Sequence, residues 1–153
     1  FSPDGRLLAC STRDSTIGLY DVATAKLLRR LRGVGGMDYT LVFAPDGKTL
    51  ATTGQTSPIF LWEVATGEQR RRLGDGTNWS GALAFTADGR TLISGHWDKE
   101  VRFWEMVTGG ERHRLTGSRG WIRCAAISPD GRTLATSGED SAILLWDLTP
   151  PRR

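Results

Sequence analysis

Short apolar runs alternate with turn sequences along the whole chain. In one stretch, β-rich runs at 39–43 and 59–64 are each followed by a more polar run, at 48–54 and 68–73. Runs of this length, bounded by Gly and Pro, are typical of strands. The "APDG" turn places Pro where φ must be near −65° and Gly where φ is positive. The pattern therefore predicts a four-stranded antiparallel meander.

The same arrangement recurs along the chain. Related turns, "FSPDG", "FAPDG", "FTADG" and "ISPDG", start at 1, 43, 85 and 127, each 42 residues after the last. A second series with this spacing is "LYD", "LWE", "FWE" and "LWD", and a third is Leu31, Leu73 and Leu115. Three series in one register indicate a repeat architecture.

One segment also fits a helix. Residues 21–33 could begin at Asp21 as N-cap and end at Gly33. The equivalent segments of the next two repeats carry Gly67 and Gly109 in mid-segment, which argues for strand–turn–strand. Because the first repeat has Ala25 at that position, we expect its turn to be the most strained.

The chain resembles the WD40 repeat family over essentially its whole length. The units of that family are four-stranded propeller blades in which a Trp-Asp pair ends the third strand. The matching pairs are Trp146-Asp147 and the variants Trp62-Glu63, Trp104-Glu105 and Tyr20-Asp21. The resemblance implies an all-β fold of WD40-type β-propeller blades, and 153 residues at a period of 42 give about 3.6 of them.

We therefore expect one partial, open WD40 domain over 1–153. Its predicted parts are a partial blade 1 (1–33), blade 2 (34–75), blade 3 (76–117), a partial blade 4 (118–148) and a tail (149–153). Blade 1 would lack most of its inner strand and blade 4 its outer strand. This organisation suggests a slice of a larger, bacterial WD40 protein, whose flanking blades would be its neighbours. Alone, such a chain is expected to be marginally stable or to self-associate.

The resemblance also assigns structural residues. WD40 blades carry a hydrogen-bond network of a loop His, a strand-two Ser/Thr, a turn Asp and the Trp. The hydroxyl maps to Thr52, Ser94 and Thr136, with Cys10 in blade 1, and the His position maps to Val34, Gly76 and Ser118. With no His there, we expect a truncated network in every blade. The predicted structural residues are Asp14, Asp98, Asp140 (Thr56 in blade 2), Tyr20, Trp62, Trp104, Trp146, Gly5, Gly47, Gly89 and Gly131.

Composition narrows the class of protein. The chain is 39% hydrophobic and 24% charged, which is ordinary for a globular protein. No apolar run approaches the length of a membrane helix, so no membrane partner is expected. Two cysteines form no disulfide framework, which favours a reducing, cytoplasmic location.

No residue pattern predicts catalysis. The Asp of each "DG" turn recurs in every repeat, as turn residues do and catalytic groups usually do not. His96 and His113 have no partner at metal-ligand spacing, and "GVGG" at 33–36 lacks the Lys-Ser/Thr of a phosphate loop. We therefore expect no catalytic residue, no cofactor and no metal, and a protein that is not an enzyme.

Basic pairs recur on the fourth strand of each repeat. They are Arg29-Arg30, Arg71-Arg72 and His113-Arg114. They could attract an anionic partner or protect an exposed strand edge, and edge protection is favoured. The strand has no interleaved aromatic residues, which argues against nucleic-acid binding.

Three tryptophans lie outside the strand-three series. Trp79 and Trp121 precede a first strand, and Trp97 follows a second strand. In a meander these connections lie at one end of the sheet, so Trp79, Trp97 and Trp121 are predicted to share a face with Arg13 and Arg119. These five residues are the candidates for binding a protein or peptide partner. Alternatively, Trp79 and Trp121 only cap gaps between blades.

The predicted function is a non-enzymatic protein–protein interaction scaffold. The alternative is a sensory or regulatory propeller module fused to a signalling enzyme, such as a Ser/Thr kinase or a nucleotidase, outside this sequence. Similar WD40 arrays are often joined to such enzymes in bacterial signalling proteins.

Overall fold

The computed structural model describes residues 1–12, 14, 16–32, 40–54 and 57–149. Over these residues it has fourteen strands in four antiparallel sheets and no helix. The prediction of an all-β fold built from open WD40-type meanders is confirmed. None of the described segments forms a helix long and apolar enough to cross a membrane.

The chain divides into two compact units, of which the first is Phe1–Trp79. It contains a three-stranded first sheet, ordered β1-β2-β3, and a four-stranded second sheet, ordered β4-β5-β6-β7. The strands are β1 (Leu7–Ser11), β2 (Ile17–Asp21), β3 (Leu27–Leu31), β4 (Thr40–Phe43), β5 (Thr49–Thr53), β6 (Ile59–Glu63) and β7 (Gln69–Leu73).

The second unit is Ser80–Arg153. It contains a four-stranded third sheet, β8 to β11 in sequential order, and a three-stranded fourth sheet, β12-β13-β14. The strands are β8 (Ser80–Phe85), β9 (Thr91–His96), β10 (Val101–Glu105), β11 (Glu111–Leu115), β12 (Ile122–Ile127), β13 (Thr133–Gly138) and β14 (Ile143–Asp147). Over the described residues, the first and fourth sheets have three strands each, and the second and third have four. That the whole chain forms one domain, divided into blades at 33, 75 and 117, stays a prediction.

Local turn chemistry follows the repeat. The glycines of the four "DG" turns all have positive φ, at 71°, 68°, 67° and 71° for Gly5, Gly47, Gly89 and Gly131. A side chain is disfavoured in that conformation, which explains why Gly recurs there. A register shift between strands three and four also recurs, at Leu19/Tyr20, Leu61/Trp62 and Phe103/Trp104.

The segment that could have been a helix is strand–turn–strand. Residues 21–32 contain a turn and then β3, and Gly33 lies outside the described residues. Ala25 has φ 54°, where Gly67 and Gly109 have 78° and 77°. An L-residue in the left-handed region costs roughly 1–2 kcal/mol. The first repeat therefore carries strain at the position where the next two use Gly.

Each unit has its own apolar core between two sheets. In the first unit, Ile17 and Leu19 of β2 pack with Leu50 and Trp62 of the second sheet. In the second, Ala82, Ile93 and Val101 of the third sheet pack with Ile122 and Leu134 of the fourth. The close fit depends on Gly95, where an added Cβ would lie 2.3 Å from Cγ2 of Ile122.

Candidate functional site

The strand-three tryptophans are anchored to strand two in three sheets. In each, the indole Nε1 donates a hydrogen bond to a hydroxyl on the neighbouring strand, two positions along from the residue directly opposite the tryptophan. The pairs are Trp62 to Thr52 (2.9 Å), Trp104 to Ser94 (2.7 Å) and Trp146 to Thr136 (2.8 Å). These are the hydroxyls that the family resemblance had assigned. The three tryptophans therefore act within their sheets as structural residues.

A histidine extends this network in the third sheet. His96 is buried at the end of β9, and its Nε2 lies 2.7 Å from Oγ of Ser94. The prediction that the network is truncated in every blade is thus wrong here, because strand two itself supplies an imidazole. Residues two apart on a strand point to the same face, so this contact could have been read from the sequence. The imidazole is part of the core of the sheet.

The recurring Asp of the strand-two turn has a different use in each sheet. Asp14 accepts hydrogen bonds from Thr12 and from Thr16, and these bonds hold the pKa of Asp14 below its usual value. Asp98 pairs with Arg102. Asp140 accepts bonds from backbone N–H groups, as described below, and Thr56 lies outside the described residues.

Two of the candidate binding residues form a tryptophan stack, Trp97 on Trp121. The ring centroids are 3.9 Å apart and the rings are 10° from parallel. Trp97 directly follows β9, and Trp121 directly precedes β12. The sequence had placed these two connections at the same end of their sheets, and the structure brings the side chains into contact.

An ion pair borders the tryptophan stack. The guanidinium carbon of Arg123 lies 5.3 Å from the centroid of the Trp97 ring, and its Nη2 is 2.5 Å from Oε1 of Glu139. Trp121 is 37% exposed, so it keeps accessible ring surface even though one face contacts Trp97. The arrangement offers a fixed aromatic surface beside a cation.

Hydrogen bonds fix the loop that carries Trp121. Oδ2 of Asp140 accepts bonds from the backbone N–H groups of Arg119 and Gly120, both at 3.1 Å. The N–H of Glu139 donates to the carbonyl of Trp121 at 3.2 Å. The N–H groups of Ala142, Arg119 and Gly120 lower the pKa of Asp140. The loop therefore holds Trp121 and the exposed Arg119 on a braced backbone.

The five predicted binding residues are only partly brought together. Trp97, Trp121 and Arg119 belong to the second unit, whereas Trp79 is a half-buried residue of the first unit. Arg13 lies outside the described residues. Their membership of one binding face stays a prediction. Sequence reasoning missed Arg123 and Glu139. Side chains two positions apart on a strand point to the same face, so the position of Arg123 near Trp121 could have been predicted.

The basic rim is largely engaged within its own sheets. Arg30 pairs with Asp14 (3.3 Å), and the Arg72 guanidinium lies 5.5 Å from the centre of the Phe60 ring. Arg114 pairs with both Glu100 (2.7 Å) and Glu111 (2.8 Å). Charges that are neutralised locally attract an anionic partner weakly, so the contacts favour edge protection.

No metal centre is formed by the described part of the chain, where no group of three His, Cys, Asp or Glu residues could hold an ion.

The fold and these contacts define a class of protein, namely an all-β repeat of antiparallel sheets of three or four strands, three of which contain a Trp–hydroxyl bond. The model of the WD domain, G-beta repeat family matches residues 1–21, 68–105 and 109–147, which is more than half of the chain. The chain belongs to the WD40 repeat family. Domains of this family are generally non-catalytic scaffolds that bind protein partners. A comparison with curated proteins gives no match.

Proposed function

We propose that this chain is a non-enzymatic scaffold that binds a protein or peptide partner through the face around the tryptophan stack. Its family is the first support, since WD40 repeat domains generally bind proteins. The observation that carries the choice of face is the stacked pair itself, with Trp121 still exposed and two arginines close by in sequence.

The chemistry of this surface suits peptide binding. Trp and Arg are the residue types most enriched at interface hot spots. A ring that is already stacked loses little conformational freedom when a partner side chain contacts it. Asp140 accepts hydrogen bonds from the backbone N–H groups of Arg119 and Gly120, so the loop is held in place before a partner binds. These features support Trp121 and Arg119 as contact residues, with Trp97 as the support beneath Trp121.

The remaining parts of the proposal concern the cellular location of the protein and the class of its partner. We place the protein in the cytoplasm, without a cofactor or catalytic residue, and with protein and not nucleic acid as its partner. The carboxylate pairing of Arg30 and Arg114 supports the last point, because it reduces the positive charge that a nucleic-acid site needs.

The test uses peptides selected against the chain from a random library displayed on phage. Affinities of the selected peptides for the unmodified chain, Trp121→Ala and Val107→Ala are then measured by isothermal titration calorimetry. Val107 is a matched control because it is an exposed apolar residue, at 78%, in the turn between β10 and β11. We expect Trp121→Ala to weaken binding roughly thirtyfold, the loss of a hot spot of about 2 kcal/mol.

Val107→Ala should leave the affinity unchanged. Circular dichroism melting of each variant separates lost binding from lost folding. Peptides that bind Trp121→Ala as tightly as the unmodified chain would place the interface elsewhere and overturn the proposal for this face.

A further inference from the structure

The outer strand of the first sheet exposes two leucines at positions that are polar in the next two repeats. Leu27 and Leu28 of β3 are 39% and 48% exposed. An apolar pair thus replaces a polar pair on this strand. The residues at the same repeat positions are Gln69 and Arg70 in β7, and Glu111 and Arg112 in β11.

The exposure of the two leucines is a property of their repeat position. Gln69 and Arg70 are also exposed, although the second sheet packs against the first through Leu50 and Trp62. Packing between two sheets therefore leaves these positions accessible. Leucines placed here stay in contact with water until another chain covers them.

The strand that carries the leucines is also an edge of its sheet. The strand order is β1-β2-β3, and β7 and β11 end the two four-stranded sheets in the same way. On one side, therefore, β3 pairs with no strand of the described part of the chain. An edge strand offers a row of backbone N–H and C=O groups to an added strand, which charged side chains commonly discourage. Leu27 and Leu28 provide no such charge.

Much of the positive charge on this strand is available to a partner. Residues 26–32 read "KLLRRLR", with four basic residues and no acidic one. Arg30 pairs with Asp14 at 3.3 Å. Lys26, Arg29 and Arg32 are exposed, and none of them forms an ion pair with a carboxylate in the ranges that the structure describes.

The other two outer strands pair charge within their own sequence. Glu68 pairs with Arg70 at 3.3 Å, and Glu111 pairs with Arg114 at 2.8 Å. Lys26 stands at the repeat position of Glu68, so the first sheet has a cation where the second has a carboxylate. Of the three outer strands, β3 combines exposed apolar side chains with positive charge that its own sheet leaves largely unmatched.

We propose that β3 binds an extended acidic segment of a protein partner by strand addition. Main-chain hydrogen bonds along the open edge hold the segment. Its apolar side chains lie beside Leu27 and Leu28, and its carboxylates pair with Arg29 and Arg30. This surface belongs to the first unit and is additional to the tryptophan stack of the second unit.

The test uses the full chain and a capped, fluorescein-labelled peptide, Asp-Val-Val-Glu-Glu-Val-Val-Asp. The peptide reads the same from either end, so it can pair with β3 in a parallel or an antiparallel orientation. Fluorescence anisotropy measures its affinity. We expect Leu27→Glu to weaken binding about tenfold, because it removes an apolar contact and places a like charge beside the peptide. Arg29→Ser should weaken binding about threefold, as for an exposed ion pair.

A matched variant and a matched peptide serve as controls. Gln69→Glu places the same residue at the same repeat position of β7 and should leave the affinity unchanged. A peptide with Pro in place of two valines keeps its charge but loses backbone N–H donors, so it should bind about tenfold more weakly. Circular dichroism establishes that each protein variant is folded.

Four results would overturn the proposal. The first is an unmodified chain that does not bind the acidic peptide at about 1 mM. The second is a proline peptide that binds as tightly as the original, which indicates attraction by charge without strand pairing. The third is an equal loss for Gln69→Glu and Leu27→Glu, which places the interface outside β3. The fourth is a thymidine oligonucleotide that displaces the peptide and loses affinity with Arg29→Ser, which indicates a nucleic-acid surface.

Discussion

The two four-stranded sheets bury chemically different side chains at the same repeat position of their third strands. Phe60 in β6 and Arg102 in β10 occupy equivalent repeat positions, and both are buried. Each is paired across the strands with an arginine, Arg72 or Arg114. Phe60 offers its ring to the guanidinium of Arg72. Arg102 cannot do this, so its charge is matched by carboxylates instead.

The ionic solution requires a coordinated set of residues. Arg102 binds Asp98 and Glu100, and Glu100 also binds Arg114 at 2.7 Å. In the second sheet the position of Glu100 holds Pro58, which provides no charge. The comparison teaches that a repeat position accepts a buried cation only when neighbouring strand and turn residues change with it.

The largest effect is expected from removing the strand-three tryptophans. Trp62→Ala and Trp104→Ala should each lower the free energy of unfolding by about 3–5 kcal/mol, because each leaves a cavity and removes a buried hydrogen bond. Urea denaturation followed by circular dichroism measures this. The tryptophan stack supplies the contrast, since Trp121→Ala should cost much less. Equal losses for Trp104 and Trp121 would show that the stack belongs to the core and would contradict the proposed binding face.

A smaller effect is expected from exchanging the residues that distinguish the two sheets. Phe60→Arg buries a guanidinium at a position where Pro58 replaces the carboxylate of Glu100. It should lower the free energy of unfolding by about 3 kcal/mol. Arg102→Phe should cost about 1 kcal/mol, because Glu100 keeps Arg114 and Asp98 can reach solvent. Thermal melts of both variants test this asymmetry. Equal costs would mean that the carboxylates contribute nothing specific to the third sheet.

The smallest effect concerns the imidazole that only the third sheet has in its Trp–hydroxyl network. His96→Ala removes the bond to Ser94 and should lower the free energy of unfolding by about 1–2 kcal/mol. The exposed His113 is a matched control, and His113→Ala should change stability by less than about 0.5 kcal/mol. Urea melts compare the two. A His96→Ala variant as stable as His113→Ala would show that the third sheet gains nothing from its histidine.

Much of the fold could be predicted from the sequence because the determining interactions are short-range. Turn chemistry at Gly5 and its three equivalents, together with alternation along strands of four to six residues, is enough to place the strands. The hydroxyl partners of Trp62, Trp104 and Trp146 were assigned by the resemblance to the WD40 family, and the structure shows these hydrogen bonds. The glycines of equivalent turns likewise excluded a helix at Ala25.

Only the tertiary structure determined the contacts between sheets. The same holds for the contacts of side chains that differ from their equivalents in the other repeats. The predicted meander placed Trp97 and Trp121 at the same end of their sheets, but their 3.9 Å stack and the approach of Arg123 depend on how two sheets pack. The partners of Arg102 escaped prediction because they depend on burial and on residues that depart from the repeat. The contact of His96 with Ser94 follows from strand alternation and was missed. Because the sequence repeats, the local geometry of strands and turns can be predicted from it. The chemistry of each sheet face depends on which side chains are brought together when the sheets pack.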